Sequence, residues 1–141
     1  MSVTAVTVKR QLQSTNLFEQ NWNNQTNTLT SMSNIKVSIA NQVAHIELCK
    51  NQTLNALSKE FCAEIDQAVQ ICDDDASVKV MMISSTAKHF CAGADIAEMQ
   101  SLRIEQVVED EFVGCVKYLA NAKKPIVVAV NGMALGGGCE L

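Results

Sequence analysis

The sequence has little proline, few aromatic residues and no long apolar run. It holds one Pro and one Trp among 141 residues, and aromatic side chains make up 4% of the chain. The longest apolar run, from Ile126 to Val130, is far shorter than the ~20 residues that a membrane-spanning helix needs. Acidic residues outnumber basic ones, 15 to 11, for a net charge of −4. We therefore expect no membrane span. We also expect no nucleic-acid binding, because proteins that bind nucleic acids usually have a basic surface.

The cysteines also lack the spacing of a metal site. The six stand at positions 49, 62, 72, 91, 115 and 139, with no C-x-x-C pair and with neither histidine beside them in ligand spacing. Scattered cysteines of this kind are typical of reduced, partly buried thiols. They predict an intracellular, reducing compartment.

Residues 1–34 differ in composition from the rest. Between Gln11 and Asn34, 17 of 24 residues are Asn, Gln, Ser or Thr, so the segment buries too little apolar surface to offset its ordering entropy. We predict a disordered extension over 1–34 and a single domain over 35–141. A hydroxyl-rich leader for organelle targeting and a featureless tail are both consistent with this composition. The mitochondrial matrix and the cytoplasm therefore both stay open.

From Ile35 onward, apolar residues follow strand and helix periods. The alternating runs IKVSIA and VAHIELC flank Asn41-Gln42 and predict a hairpin. Apolar positions from Leu57 to Cys72 have helical spacing, with Ser58 as the N-cap. The acidic run at 73–75 is expected to be a solvated loop.

Two apolar runs, VKVMMIS and IVVAV, predict strands that are buried on both faces. A second helical pattern, Ile104 to Leu119, lies between them. Strands that alternate with helices predict an α/β fold with parallel pairing.

Each of these two strands leads into a loop of small residues, HFCAGADIAEM and NGMALGGGCEL. In open α/β sheets, ligands bind beyond the carboxyl ends of the strands. Glycine lets a ligand approach backbone N–H groups closely, and two converging N–H groups form an oxyanion hole. A tight turn without a ligand is the alternative interpretation. No P-loop, G-x-G-x-x-G or G-x-S-x-G motif is present, and His89 is expected to be a loop-packing residue.

Taken together, HFCAGADIAEM, KPIVVAVNGMALGGGCEL and LNALSKEF resemble signature segments of the enoyl-CoA hydratase/isomerase (crotonase) family. The resemblance runs from about Ile35 to Leu141. It implies a crotonase-type α/β fold of repeated ββα units, incomplete in this chain. It also implies no metal or redox cofactor, because coenzyme A is part of the substrate, and a full-length protein that forms homotrimers or hexamers.

The resemblance also implies roles for individual residues. The backbone N–H groups of Ala94 and Gly137 would hold the thioester oxygen, and Glu140 matches the first of two catalytic glutamates. The remaining implied positions would bind the coenzyme A portion of the substrate: Leu54, Ala56, Ala92, Gly93, Asp95 and Ile96.

The chain departs from the family pattern at two positions and at its end. Ala97 stands where the family often has lysine, and Lys50-Asn51 stands where it usually has Arg-Pro, so the affinity for coenzyme A is expected to be weaker. The family's second glutamate, the floor of the acyl pocket and its C-terminal helices follow the point where this sequence stops. We therefore expect a fragment that is poorly stable and inactive alone.

The leading hypothesis is an enoyl-CoA hydratase that adds water to trans-2-enoyl-CoA thioesters in fatty-acid β-oxidation. Glu140 favours a hydratase because the family's isomerases depend mainly on the later glutamate. The alternatives are another enzyme of the family, an isomerase or an acyl-CoA hydrolase, and a truncated, non-catalytic protein that binds acyl-CoA.

Overall fold

A computed structural model describes residues 4–6, 27–100 and 117–141. They form a six-stranded sheet of order β1-β6-β5-β4-β3-β2. The strands are β1 Thr4–Val6, β2 Asn27–Ser31, β3 Ile35–Ala40, β4 Val43–Leu48, β5 Val80–Ser85 and β6 Ile126–Ala129. The helices are α1 Lys59–Asp74, α2 Ile96–Met99 and α3 Lys117–Ala120, with 3-10 turns at Asn51–Thr53 and Gly136–Cys139.

The predicted hairpin is confirmed. Strands β3 and β4 pair antiparallel, with Ile35 opposite Leu48 and Ala40 opposite Val43. The two turn residues between them, Asn41 and Gln42, have φ values of 50° and 67°. Positive φ at both positions is the geometry of the two-residue turn whose twist matches that of the flanking strands.

Helix α1 forms because its apolar residues share one face and a side chain caps its start. Ser58 Oγ accepts a hydrogen bond from the Phe61 N–H, which confirms the predicted N-cap. The buried face of α1 consists of Phe61, Cys62, Ile65, Ala68, Val69, Cys72 and Asp73. It packs on β3, β4 and β5, and each large apolar side chain buried there contributes roughly 1.5–3 kcal/mol.

The predicted parallel pairing is also confirmed. Strand β4 pairs parallel with β5, and β5 pairs parallel with β6. The carboxyl ends of these three strands therefore meet at one edge of the sheet, and the segments that follow them lie side by side.

The prediction that both faces of β5 and β6 are buried holds for one face of each strand. Met81, Ile83, Ile126 and Val128 are buried, whereas on the other face Val80 and Met82 are half-buried and Val127 is 38% exposed. An apolar run identifies a strand and does not show how many of its faces are covered, because a continuous run has no alternation to read.

Two further expectations fall partly outside the described residues. Strands β1 and β2 lie within residues 1–34, which we expect to be disordered, and residues 1–3 and 7–26 of that segment are outside the described ranges. The boundary at residue 34 stays a prediction. Most of the second helical pattern, residues 104–116, also lies outside them, and only α3 and its buried Leu119 follow.

The acidic run at the end of α1 is not simply solvated. Asp74 is exposed, but Asp73 is 5% exposed. The Asp73 carboxylate accepts hydrogen bonds from the backbone N–H groups of Lys123 at 3.1 Å and Lys124 at 2.9 Å. The Lys124 ammonium in turn donates to the carbonyl oxygens of Cys72 and Asp75 at the end of α1. This cluster fixes the turn that leads into β6.

We expect Asp73→Ala to lower the free energy of unfolding by roughly 2–4 kcal/mol, because it leaves two backbone N–H groups without their acceptor. The matched control is Asp74→Ala, which removes an exposed carboxylate 3.6 Å from Lys123 Nζ and is expected to cost less than about 1 kcal/mol. Urea unfolding of the two variants measures the difference. Equal losses would show that the buried carboxylate does not hold this turn.

Candidate active site

Three loops meet at the carboxyl edge of the sheet. They follow β4, β5 and β6, and we call them loop A (residues 49–58), loop B (86–95) and loop C (130–135). Loop A contains the 3-10 turn Asn51–Thr53, and loop C leads into the turn Gly136–Cys139. Nearly all residues that the sequence marks for a site lie on these loops and on the elements that begin directly after loops B and C.

Loop B is paired with both of its neighbours. Leu57 of loop A forms a parallel bridge with Ala94, and Cys91 forms one with Ala134 of loop C. The Leu57 N–H donates to the Gly93 carbonyl oxygen at 2.8 Å, and the Asp95 N–H donates to the Leu57 carbonyl oxygen at 3.0 Å. The loops therefore continue the lateral order of β4, β5 and β6 beyond the sheet.

Gly93 brings loops B and C into direct contact. Its φ is +91°, and a Cβ atom placed on it would lie 2.6 Å from the Leu135 carbonyl oxygen and 3.7 Å from Gly136 Cα. Any side chain at this position would push against backbone that has no rotamer to move. Gly93 and Gly136 are the direct neighbours of Ala94 and Gly137, so the segments that carry the two predicted donors are in contact.

The glycine triplet forms a 3-10 turn, Gly136–Cys139. A Cβ atom on Gly137 would lie 3.1 Å from Leu57 Cδ1, and one on Gly138 would lie 2.7 Å from the Cys91 carbonyl oxygen. The triplet therefore packs closely on loops A and B. Lack of side chains is what permits this approach.

The backbone N–H groups at this junction that donate no hydrogen bond within the described part of the chain include those of the two predicted donors, Ala94 and Gly137. Leu57 uses the groups of Gly93 and Asp95 on either side of Ala94, so the Ala94 N–H points away from loop A. Gly137 is in the first turn of a helix, where N–H groups have no intrahelical acceptor. Both groups are available to an external acceptor.

Glu140 follows this turn directly. It is exposed, and its N–H donates to the Gly137 carbonyl oxygen at 3.1 Å. The Glu140 backbone is therefore bonded to the turn that contains Gly137, and its side chain is exposed.

The residues predicted to bind coenzyme A lie on loop A, on loop B and at the start of α2. Leu54 is 39% exposed and Ile96 is 70% exposed, and Ala92 is exposed beside them. Ala56 and Ala94 are half-buried. The exposed members form a surface along the same edge of the sheet, and their role stays a prediction.

Lys50, which stands where the family usually has arginine, is bonded within the chain. Its ammonium donates to the Ala56 carbonyl oxygen at 3.2 Å and to Ser58 Oγ at 3.0 Å. It also lies 3.4 Å from Asp95 Oδ2. The Asp95 carboxylate additionally caps α2 by accepting from the Ala97 N–H. Lys50 and Asp95 therefore link loops A and B.

His89 and Asn55 are the polar residues that connect the loops from within. His89 Nδ1 accepts a hydrogen bond from the Met133 N–H at 3.3 Å, which confirms that His89 packs between loops B and C. Asn55 is fully buried and has a φ of 56°. Sequence reasoning missed it; an Asn within the otherwise apolar L-N-A-L run was the available signal.

The described cysteines are thiols, at positions 49, 62, 72, 91 and 139. Burial, together with the charge of Asp75, raises the pKa of Cys72 to about 11, so this thiol stays protonated at neutral pH. Within residues 4–6, 27–100 and 117–141, no three His, Cys, Asp or Glu side chains are grouped to hold a metal ion. The helices in these ranges are also too short or too polar to cross a membrane.

Comparison with known proteins gives a family match over most of the chain. The sequence model described as "Enoyl-CoA hydratase/isomerase" matches residues 38–141. This range includes loops A, B and C and the glycine turn.

Individual relatives agree with this match. A probable enoyl-CoA hydratase of Rhizobium meliloti is 40% identical over 111 residues, which cover 79% of this chain and 43% of the relative. The mitochondrial enoyl-CoA hydratase of Pongo abelii is 41% identical over 101 residues, 72% of this chain and 35% of the relative. A crystal structure of an enoyl-CoA hydratase subunit from Geobacillus kaustophilus superposes with a TM-score of 0.73 at 35% identity, over 79% of this chain and 43% of that one. The chain thus spans between 35% and 43% of the length of these three proteins.

Proposed function

The chain belongs to the enoyl-CoA hydratase/isomerase family, and we propose that it carries the thioester-binding part of an enoyl-CoA hydratase site. The substrate is a trans-2-enoyl-CoA, and the reaction adds water across the double bond conjugated to the thioester. The observation that carries the proposal is the contact between two loops that each lead to a backbone N–H without an acceptor in the described ranges. The names of the relatives, hydratases of bacterial and mitochondrial origin, favour this reaction within the family.

The two amides have a role because charge moves onto the thioester oxygen during the reaction. Attack of water on the β-carbon shifts an electron pair onto that oxygen, and an enolate forms. In the proposed site, the N–H groups of Ala94 and Gly137 donate to this oxygen. Donors that are already in place stabilise the charge without reorganisation, and each is typically worth about 10²–10³ in rate.

Glu140 is proposed to handle the water. A carboxylate near the bound thioester can take a proton from the attacking water, and general base catalysis of this kind contributes roughly 10²–10⁴ in rate. Support comes from its place directly after the turn that holds Gly137, with its carboxylate exposed.

The coenzyme A portion is proposed to lie along loops A and B. The apolar side chains that stay exposed near these loops, around α2 and along loop C are Leu54, Ile96, Met99, Met133 and Leu135, between 39% and 70% exposed. Exposed apolar surface gathered at one edge is typical of a binding site. Leu54, Ala56 and the segment 92–96 are the proposed contacts.

In the cell, we place this activity in fatty-acid β-oxidation, in the mitochondrial matrix or the cytoplasm, and in a homotrimer or hexamer. The thiols at the described cysteine positions are consistent with a reducing compartment. The relative from Pongo abelii bears the word mitochondrial in its name.

Binding and turnover test the proposal separately. We expect calorimetric titration to detect binding of butyryl-CoA, and the protein as its gene encodes it to hydrate crotonyl-CoA, with loss of the absorbance of the conjugated thioester. Binding without hydration would identify a non-catalytic acyl-CoA-binding protein and refute the hydratase. Absence of butyryl-CoA binding would refute the whole proposal.

A further inference from the structure

Asn55 is a fully buried polar residue that contacts loop B, the loop that contains Ala94. Its side-chain nitrogen donates to Ser85 Oγ at 2.7 Å and to the Phe90 carbonyl oxygen at 2.8 Å. Because a carbonyl oxygen only accepts hydrogen bonds, the bond to Phe90 determines which end of the amide is the nitrogen. The side chain therefore supplies two donors to the end of β5 and to loop B.

Backbone conformation alone does not account for this residue. Asn55 has a φ of 56°, and asparagine tolerates that region, but glycine would fit there without a side chain to bury. The Asn55 Oδ1 atom is buried and has no hydrogen-bond partner among the described residues. A buried acceptor without a partner is costly. The hydrogen bonds of the amide group alone therefore do not explain why an asparagine stands at this position. The explanation lies in the segment that the amide contacts.

Asn55 contacts loop B through both its side chain and its backbone. Ser85 is the last residue of β5, and its hydroxyl also donates to the His89 carbonyl oxygen at 3.1 Å. The Cys91 thiol donates to the backbone carbonyl oxygen of Asn55 at 3.1 Å. Asn55 thus contacts the end of β5 and two consecutive residues of loop B, Phe90 and Cys91.

Asn55 is also connected to Ala94 through the chain. Leu57 follows two positions after Asn55 and forms the bridge with Ala94. Loop B therefore contacts the short segment 55–57 at Phe90 and Cys91, which precede Ala94, and again at Ala94 itself. A shift of this segment changes where the Ala94 N–H points relative to the Gly137 N–H.

We propose that Asn55 is a positioning residue that sets the Ala94 N–H for the thioester carbonyl oxygen. The inference rests on the proposed function, because it needs that oxygen to bind at Ala94. Hydrogen bonds to a developing charge depend steeply on donor placement. Loss of the Asn55 amide is therefore expected to weaken recognition of the carbonyl more than recognition of the remainder of the ligand.

Two ligands that differ only at the carbonyl test this expectation. Butyryl-CoA has the thioester carbonyl group, and S-butyl-CoA has a methylene group in place of that carbonyl group. We expect the unmodified protein to prefer butyryl-CoA in calorimetric titration, and Asn55→Gly to reduce that preference by about 3- to 10-fold, the range of one hydrogen bond. The matched control is Asn41→Gly, at an exposed turn position with a φ of 50°, which is expected to keep the preference.

Ser85→Ala is the second variant, in case Asn55→Gly does not fold. It removes one of the two acceptors of the amide and keeps the bond to Phe90, so it should give a smaller loss in the same direction. Equal loss of affinity for both ligands, or an unchanged preference in the variants that fold, overturns the positioning role. Absence of any preference in the unmodified protein refutes instead the pair of amides in the proposed function, and this inference with it.

Discussion

Gly93→Ala is expected to weaken butyryl-CoA binding by more than about tenfold and to lower the free energy of unfolding by roughly 2–5 kcal/mol. The new Cβ atom would lie 2.6 Å from the Leu135 carbonyl oxygen, which is backbone and cannot turn away. The residue would also keep a φ of +91°, which is strained for alanine. Loops B and C must then separate, and the distance between the Ala94 and Gly137 amides changes. Calorimetric titration and urea unfolding measure the two effects.

Gly136→Ala is the matched control for this substitution. Gly136 also has a positive φ, +49°, but a Cβ atom there meets nothing within 4 Å. Gly136→Ala is expected to lower the free energy of unfolding only by the cost of placing alanine at a positive φ, about 1–2 kcal/mol. It should retain most of the butyryl-CoA binding. If both substitutions reduce butyryl-CoA binding equally, the contact between loops B and C does not determine the positions of the Ala94 and Gly137 amides.

Features that depend on a few neighbouring residues were predictable from the sequence. The two-residue turn at Asn41-Gln42 and the cap at Ser58 both formed as expected. The parallel pairing of β5 with β6 followed from strands that alternate with helices, and it placed the two small-residue loops at one edge. Each of these inferences needs only a local pattern or a general rule of connection.

Side-chain partners that are distant in sequence were not predictable. Asp73 looked like one member of a solvated acidic run, but it accepts from backbone 50 residues later. Nothing in the sequence indicated that Lys50 pairs with Asp95, 45 residues away. The packing of the loops decides which polar groups become buried, and the type of a residue does not indicate how the loops pack.

The glycine triplet shows the same limit within the site. Its composition predicted a close backbone approach, and the close contacts that Cβ atoms would make on Gly137 and Gly138 agree with that. It did not predict that the triplet itself forms a 3-10 turn, Gly136–Cys139. Glycines are compatible with many backbone conformations, so only the packing against Leu57 and Cys91 selects one.

Glu140→Gln is expected to reduce the hydration of crotonyl-CoA by about 10²–10⁴-fold and to leave butyryl-CoA binding within about threefold. The amide keeps the shape of the side chain but cannot accept a proton from water at neutral pH. Because Glu140 is exposed and only its backbone N–H bonds the Gly137 carbonyl oxygen, the substitution should not move the glycine turn. The rate is measured on the protein as its gene encodes it, with saturating crotonyl-CoA.

Glu60→Gln is the control for the loss of one negative charge. Glu60 is exposed in the first turn of α1, so its neutralisation changes net charge equally and is expected to leave the rate of hydration unchanged. A drop in rate confined to Glu140→Gln, with binding retained, separates proton transfer from thioester binding. Equal rates in both variants would show that Glu140 takes no proton, and the hydratase proposal would then lose its base while the two backbone amides could still bind the thioester.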